Sequence, residues 1–244
     1  MALVSDTMTW PSLMRYAALI EDFAGLRTWT TTVEDGSETD LRGLPSDVGA
    51  VFLQRTPPGL TCRARALTRG LPVLTDQDII AIALTAALLT ATSQAGRTPR
   101  TSTVVIAGAD ALPVLCPLLM IAGFAEVTTW NPIDADIFPL RRITSGAHTI
   151  VDLLHGTIDL TAAEVIRLDS GQEAVLVLPG LLRALTHGRG ARLDLHVHHA
   201  CALALVMATP PDRQLPSRLD QDLTDQVTHA AAHALHAQTH HPFD

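Results

Sequence analysis

The sequence predicts an α/β fold built on parallel strands, and three observations carry that expectation. Short apolar runs at 51–53, 72–74 and 103–107 have the length of buried strands and alternate with longer stretches of helical spacing. The run 103–107 passes through Gly108 into an apolar helix and on to a second strand at 126–130, which is a βαβ unit with a right-handed crossover expected. The chain has 244 residues, 47% of them hydrophobic and 17% charged, enough for one large domain or two small ones with a sizeable core.

Taken in order, Leu13, Met14, Ala17, Leu19 and Ile20 mark a helix over 11–23, with Gly25 as its C-terminal stop. Residues 26–32 read as a strand, 34–47 as a polar loop, 51–53 as a short buried strand and 63–69 as a helix. A strand at 72–74 leads into a long apolar helix over 76–93, and the polar stretch 94–102 forms a linker. The βαβ unit follows. Residues 132–148 are weakly patterned, 209–221 form a proline-bearing loop, and Leu223, Val227, Ala231 and Leu235 share one face of a last helix over 222–238. No internal repeat is evident in the sequence.

Composition excludes several functions. No lysine occurs and all 17 basic residues are arginine, so no lysine can shuttle a proton or form a Schiff base here. The formal net charge of −8 argues against nucleic acid and anionic membranes as partners, since both require a positive surface. Cys62, Cys116 and Cys201 are odd in number and lie beside apolar or small residues, which predicts reduced, mostly buried thiols. The N-terminus lacks a basic segment before an apolar core, and the most apolar stretch, 79–91, is too short to span a bilayer. The expectation is a soluble cytoplasmic protein, and its high apolar fraction suggests a homodimer.

The turn Gly108-Ala109-Asp110-Ala111 stands where a Rossmann phosphate loop belongs. Only the first glycine is present. Asp110 brings negative charge to the pyrophosphate position, and Asn131, after Trp130, stands in place of the carboxylate that grips a ribose diol. Gly108, Asp110 and Asn131 therefore outline a degenerate cofactor site, and no cofactor is expected. His229, His233, His236 and His240 form a stripe along the final helix; it reads as a solvated face, the other reading being a metal chelate. His196, His198 and His199 read as structural.

Three segments in order resemble the short bacterial type of malic enzyme. Residues 11–25, ending Phe23-Ala24-Gly25, are similar to a family helix with the pattern Pro-Val-Met-x-Gly-Lys-Ala. Val51-Phe52-Leu53-Gln54-Arg55, with Pro72-Val73-Leu74-Thr75-Asp76 after it, resembles the family strand ending in Glu-Asp and the later Pro-Val-Phe-His-Asp. The run 175–185, with Pro179-Gly180, resembles the family segment that carries two substrate asparagines. Malic enzymes decarboxylate malate oxidatively with NAD(P), a divalent metal held by Glu, Asp and a later Asp, and a Lys and a Tyr as acid and base. The resemblance places Tyr16 at the lysine, Gln54-Arg55 at the Glu-Asp metal pair, Asp76 at the third ligand, and Glu173 and Ala174 at the asparagines. The family's N-terminal tyrosine region has no counterpart, and the stretch between the second Rossmann strand and Pro179 is short. A lone carboxylate beside a guanidinium does not hold Mg²⁺ or Mn²⁺ against water, so no metal is expected.

The expected architecture is thus a reduced malic-enzyme-like N-terminal α/β region (1–93), a truncated Rossmann-like parallel-sheet domain (94–208), and a C-terminal loop and helix (209–244) packed back on the first part. The expected function is that of a pseudoenzyme, a non-catalytic binding or regulatory protein. The alternative is a metal-free enzyme acting on a carboxylate-containing metabolite, for instance in a biosynthetic pathway. In both, Gln54, Arg55 and Asp76 line the substrate cleft, Tyr16 and Asp76 are the candidate catalytic groups, and a small carboxylate is the ligand. Arg55 and Asp76 themselves have two readings, an anion site with Asp76 orienting the guanidinium and an internal ion pair.

Overall fold

The computed structural model describes residues 1–5, 10–32, 43–55, 58–68, 70–154, 163–168, 171–188 and 192–239. Part of the loop expected over 34–47, the last residue of the helix expected over 63–69, and His240 of the histidine stripe lie outside them. Strand and helix alternate along the first half: β1 (Ala2–Ser5), α1 (Trp10–Leu19), β2 (Trp29–Thr32), β3 (Val51–Gln54), α2 (Pro58–Leu67), β4 (Val73–Thr75) and α3 (Asp76–Gln94). The four strands are all parallel, in the order β2-β1-β3-β4, with Ser5 opposite Thr32 on one side and Gln54 on the other. This order reverses direction between β1 and β3. In open α/β sheets the crevice outside the carboxyl ends of the strands at that reversal is where ligands bind.

The second half repeats the arrangement. β5 (Thr103–Ala107), α4 (Leu115–Ile121), β6 (Glu126–Trp130), the short α5 (Leu140–Ile143), β7 (Thr149–Asp152) and β8 (Glu164–Ile166) form a parallel sheet ordered β6-β5-β7-β8. Both sheets therefore share one topology, although the sequence carries no visible repeat. Helices α6 (Gly171–Val175), α7 (Leu178–His187), α8 (Leu195–Ala208) and α9 (Gln221–Thr239) follow among the described residues.

Helix α3 joins the halves. Thr75 and Asp78 close a capping box at its start, each side chain receiving the other's main-chain N–H. Its Ala, Ile and Leu residues are buried around nearly the whole circumference, so it forms the axis of the main core with β3 and β4 at one end and α4, α6 and α8 along its length. Helices α7 and α9 cross at Gly180, where a Cβ would stand 2.6 Å from the Thr224 carbonyl oxygen and 2.7 Å from Val227 Cβ; only glycine lets the backbones approach so closely. Arg183 of α7 donates to the carbonyls of Phe23 and Ala24 and pairs with Asp225 at 2.6 Å, which ties the helical turn Ile20–Ala24 that follows α1 to α9.

Several expectations are corrected. Strand β1 lies in the first residues, too near the end of the chain to show periodicity, and β7 and β8 follow the weakly patterned stretch. The strand expected over 26–32 starts at Trp29, because Arg27 is taken up by a carbonyl contact to Met1 and Thr28 by Glu21. Helix α2 begins at Pro58, several residues before the expected 63, since proline at a first helical position loses no hydrogen bond. Cys201 is buried and its thiol is pushed up to about 12 by burial, but Cys62 is exposed, against the expectation of mostly buried thiols.

Candidate functional site

Alternation along β3 decides which side chains meet at the carboxyl end of the first sheet. Phe52 and Gln54 share a face, since side chains two apart on a strand point the same way, and Phe52 belongs to the core between the sheet, α1 and α3. Tyr16 of α1 stacks edge-on against Phe52, ring centroids 5.5 Å apart at 68°. Gln54, one step beyond Phe52 at the carboxyl end, is 5% exposed, and its Oε1 is buried without a hydrogen-bond partner. Such an orphaned acceptor costs about 1–3 kcal/mol. Ser5, opposite Gln54 on β1, is buried as well.

Arg55 and Asp76 meet, but not as an ion pair. The Arg55 main-chain N–H donates to Asp76 Oδ2 at 2.9 Å, and Gln77 N–H donates to Oδ1 at 3.0 Å. Among the described residues no side-chain cation lies within ion-pair distance of Asp76. In place of the internal Arg55–Asp76 ion pair there is a main-chain contact that ties the end of β3 to the start of α3, and Arg55 itself is exposed, with φ 50°, in the left-handed region that costs a residue with a Cβ energy. Burial pushes the Asp76 carboxyl above its ordinary range, opposed by the N–H groups of Arg55 and Gln77. Burial, then the charge of Asp76, raises the Tyr16 phenol, with Arg15 and Arg55 acting the other way. Tyr16, Gln54, Arg55 and Asp76 therefore gather at one edge of the sheet.

A buried pair the sequence did not flag lies behind them. Asp78 Oδ2 accepts from Thr75 N–H and Oγ1, each at 2.8 Å, while its Oδ1 faces His198 Nε2 of α8 at 3.6 Å. Burial lowers the His198 imidazole, against the pull of Asp78 and Asp194.

At the second sheet, Leu154, 38% exposed, lies against the Gly108 turn. Gly108 turns at φ 85° and is followed by a tight 3₁₀ turn, Ala109–Ala111; α4 starts only at Leu115, beyond Pro113, so no helix N-terminus faces the turn. A Cβ on Gly108 would stand 2.8 Å from Leu154 Cδ2. Leu154 is held there by Asp152, whose Oδ1 accepts its N–H at 3.0 Å and whose Oδ2 pairs with Arg167 at 3.0 Å. Asn131 Oδ1 accepts from Asp110 N–H at 3.0 Å, so Asn131 closes the turn. Gly108, Asp110 and Asn131 are brought together, but around a leucine plug, a buried carboxylate and a spent main-chain donor. That surrounding does not fit a dinucleotide pyrophosphate.

Neither does the first crevice fit a divalent ion, because the Asp76 oxygens are taken by main-chain N–H groups and Gln54 offers one neutral oxygen. Among the described residues no group of three or more His, Cys, Asp or Glu side chains is placed to hold a metal. His229, His233 and His236 are exposed on α9. No helix among the described residues is long and apolar enough to cross a membrane.

No protein-family model matches the chain, and no curated protein matches it. Solved structures do. The NAD-dependent malic enzyme of Thermotoga maritima superposes with a TM-score of 0.79 over 95% of this chain and 83% of that one, at 16% identity. The malic enzyme of Pyrococcus horikoshii gives 0.77 over 97% and 77% at 15% identity, and that of Entamoeba histolytica 0.78 over 98% and 69% at 13%. The chain has a malic-enzyme-like fold with Rossmann-type α/β sheets, as the sequence resemblance implied.

Proposed function

We propose that this chain is a malic-enzyme-like protein without oxidative decarboxylase chemistry, a binding or regulatory protein whose first crevice takes a small carboxylate independently of metal and NAD(P). The observation that carries the reading is the main-chain contact between Arg55 and Asp76. It occupies the carboxylate and leaves the Arg55 side chain exposed. A guanidinium fork binds a carboxylate bidentately, so direct binding replaces binding through a cation. The plug of Leu154 on Gly108 supports the same reading for the cofactor. By analogy with the fold, and from the exposed apolar side chains of Met120, Leu203 and Met207, the protein is a homodimer.

A second reading rests on the upward-shifted Tyr16 and Asp76, which sit together as a general acid and base for metal-free turnover of the same carboxylate. Thermal melts with a panel of carboxylic acids test the binding. Wild type melts later with at least one acid, and Arg55→Ala keeps its unliganded melting point while losing that response. No response of the wild type to any acid refutes the carboxylate site; consumption of the stabilising acid, absent in Tyr16→Phe, selects the enzyme.

A further inference from the structure

Three large apolar side chains stand in solvent within the short stretch 133–138: Ile133 is 88% exposed, Ile137 74% and Phe138 52%. Single exposed side chains are ordinary, but three in one segment form a patch that asks for a partner. The segment is held in place. The Asp134 carbonyl accepts the N–H groups of Ile137 and Phe138 at 3.2 and 2.8 Å, and Trp130 Nε1, on a ring buried in the small core of the second sheet, donates to the Phe138 carbonyl at 2.7 Å. Leu140 and Ile143 of α5 pack against that same core, which leaves Arg141 and Arg142 exposed. The charges around the patch are therefore ordered along the chain. Asp134 and Asp136, both exposed, come on one side of Ile137 and Phe138, Arg141 and Arg142 on the other, and among the described residues none of the four enters an ion pair. Asp110, whose N–H donates to Asn131, adds a carboxylate at the acidic end.

Resting on the homodimer reading above, we propose that residues 132–142 are the contact between two copies of the chain, packed antiparallel about a twofold axis through Ile137 and Phe138. A twofold contact brings residue i of one copy to residue j of the other and j back to i. Laid antiparallel, the acid–apolar–base order sets Asp134 and Asp136 of each copy against Arg141 and Arg142 of the other and closes the apolar side chains on their own counterparts. Laid parallel, it sets like charges together. A chain of formal net charge −8 repels its copy, so a dimer needs a contact that pairs opposite charges. Because main-chain hydrogen bonds already fix the segment, docking orders little new structure. The other exposed apolar face, Met120 on α4 with Leu203 and Met207 on α8, has no Asp, Glu or Arg over 111–125 or 195–208, so no charge on those two helices selects an orientation.

Sedimentation equilibrium of the full-length chain reads the association, and melting curves confirm that each variant is folded. Wild type sediments as a dimer. Ile137→Ser combined with Phe138→Ser weakens association by about tenfold or more. Asp134→Arg with Asp136→Arg makes the flanks of the patch basic on both sides, and Arg141→Asp with Arg142→Asp makes them acidic on both sides. Each charge variant alone associates about tenfold or more weakly than wild type, and mixing the two restores the dimer, because an all-basic flank then meets an all-acidic one. Restoration by mixing is a result that a merely misfolded variant does not give. If all three variants dimerise as tightly as wild type, the segment is not the contact and the homodimer stands; a dimer broken by Met207→Ser in their place puts the contact on α4 and α8. If the two charge variants are folded but their mixture stays monomeric, the antiparallel pairing is wrong. If wild type is a monomer at every concentration, the contact and the homodimer both fall.

Discussion

Arg55 concentrates the argument about function in one residue. It holds a left-handed backbone at φ 50°, costly for any residue with a Cβ, and no ion pair to Asp76 compensates. Arg55→Gly is therefore expected to stabilise the unliganded protein by about 0.5–1 kcal/mol in urea titrations while removing the response to carboxylates. A destabilised glycine variant would show that the guanidinium supports the fold. His198 sets a pH dependence of opposite origin. Its imidazole is lowered from 6.5, so the unfolded chain takes up the proton first, and the contribution is whole above 6.5 and is lost as pH falls toward the folded value. Around it lie Asp78 on α3, Asp194 just before α8 and Arg65 on α2, and the neighbouring His199 is also lowered, by burial and then by the charge of His196. Denaturation at pH 7.5 and 5.5 is expected to show a loss at the lower pH that His198→Gln largely removes; an unchanged slope in the variant would assign it elsewhere. Asp76 acts in the reverse sense, its raised carboxyl contributing stability below 3.8 that is lost as pH rises to its folded value.

At the scale of elements, the two parallel sheets share an order and differ in what ends their central strands. The first ends in polar groups, the second in a glycine turn against a leucine. Gly108→Ala meets both a φ of 85° and the 2.8 Å approach of Leu154, so it is expected to destabilise by about 2–4 kcal/mol. Leu154→Ala in the same chain removes the steric part alone, and a double-mutant cycle should return a coupling of about 1 kcal/mol or more in favour of the pair. Additive effects would mean that the glycine serves only the backbone turn. Strands β1, β7 and β8 were not read although β3 and β4, equally short, were, because β4 runs directly into the long apolar helix α3 while β7 and β8 follow a weakly patterned stretch with no such helix beside them. Helix α3, with nineteen residues and a capping box, was legible almost to the residue, since apolar length and the Thr75–Asp78 spacing are local signals.

For the whole molecule, the fold and the proposed chemistry separate, as they do wherever one architecture hosts several functions. Malate-dependent reduction of NAD⁺ or NADP⁺ is expected to be undetectable with Mn²⁺ or Mg²⁺, because single catalytic groups are commonly worth about 10²–10⁴-fold and several are replaced here. Metal-dependent turnover abolished by chelation would overturn this. Light scattering on the same preparation is expected to give the mass of a dimer.

The sequence by itself determined the α/β class, the malic-enzyme-like order of segments, the absence of any lysine chemistry and the set Tyr16, Gln54, Arg55 and Asp76. The class and the lysine exclusion depend on residue type and local spacing; the order of segments and the candidate set are what the resemblance to malic enzymes implies. Tertiary structure decided how the set is used. Whether Asp76 meets the guanidinium or the main chain of Arg55, whether Gln54 finds a donor, and whether the Gly108 turn meets Leu154 depend on atoms 21 and 46 residues apart in sequence or contributed by other strands. No periodicity encodes such distances, because they are fixed only when the strands pair and the crevices close.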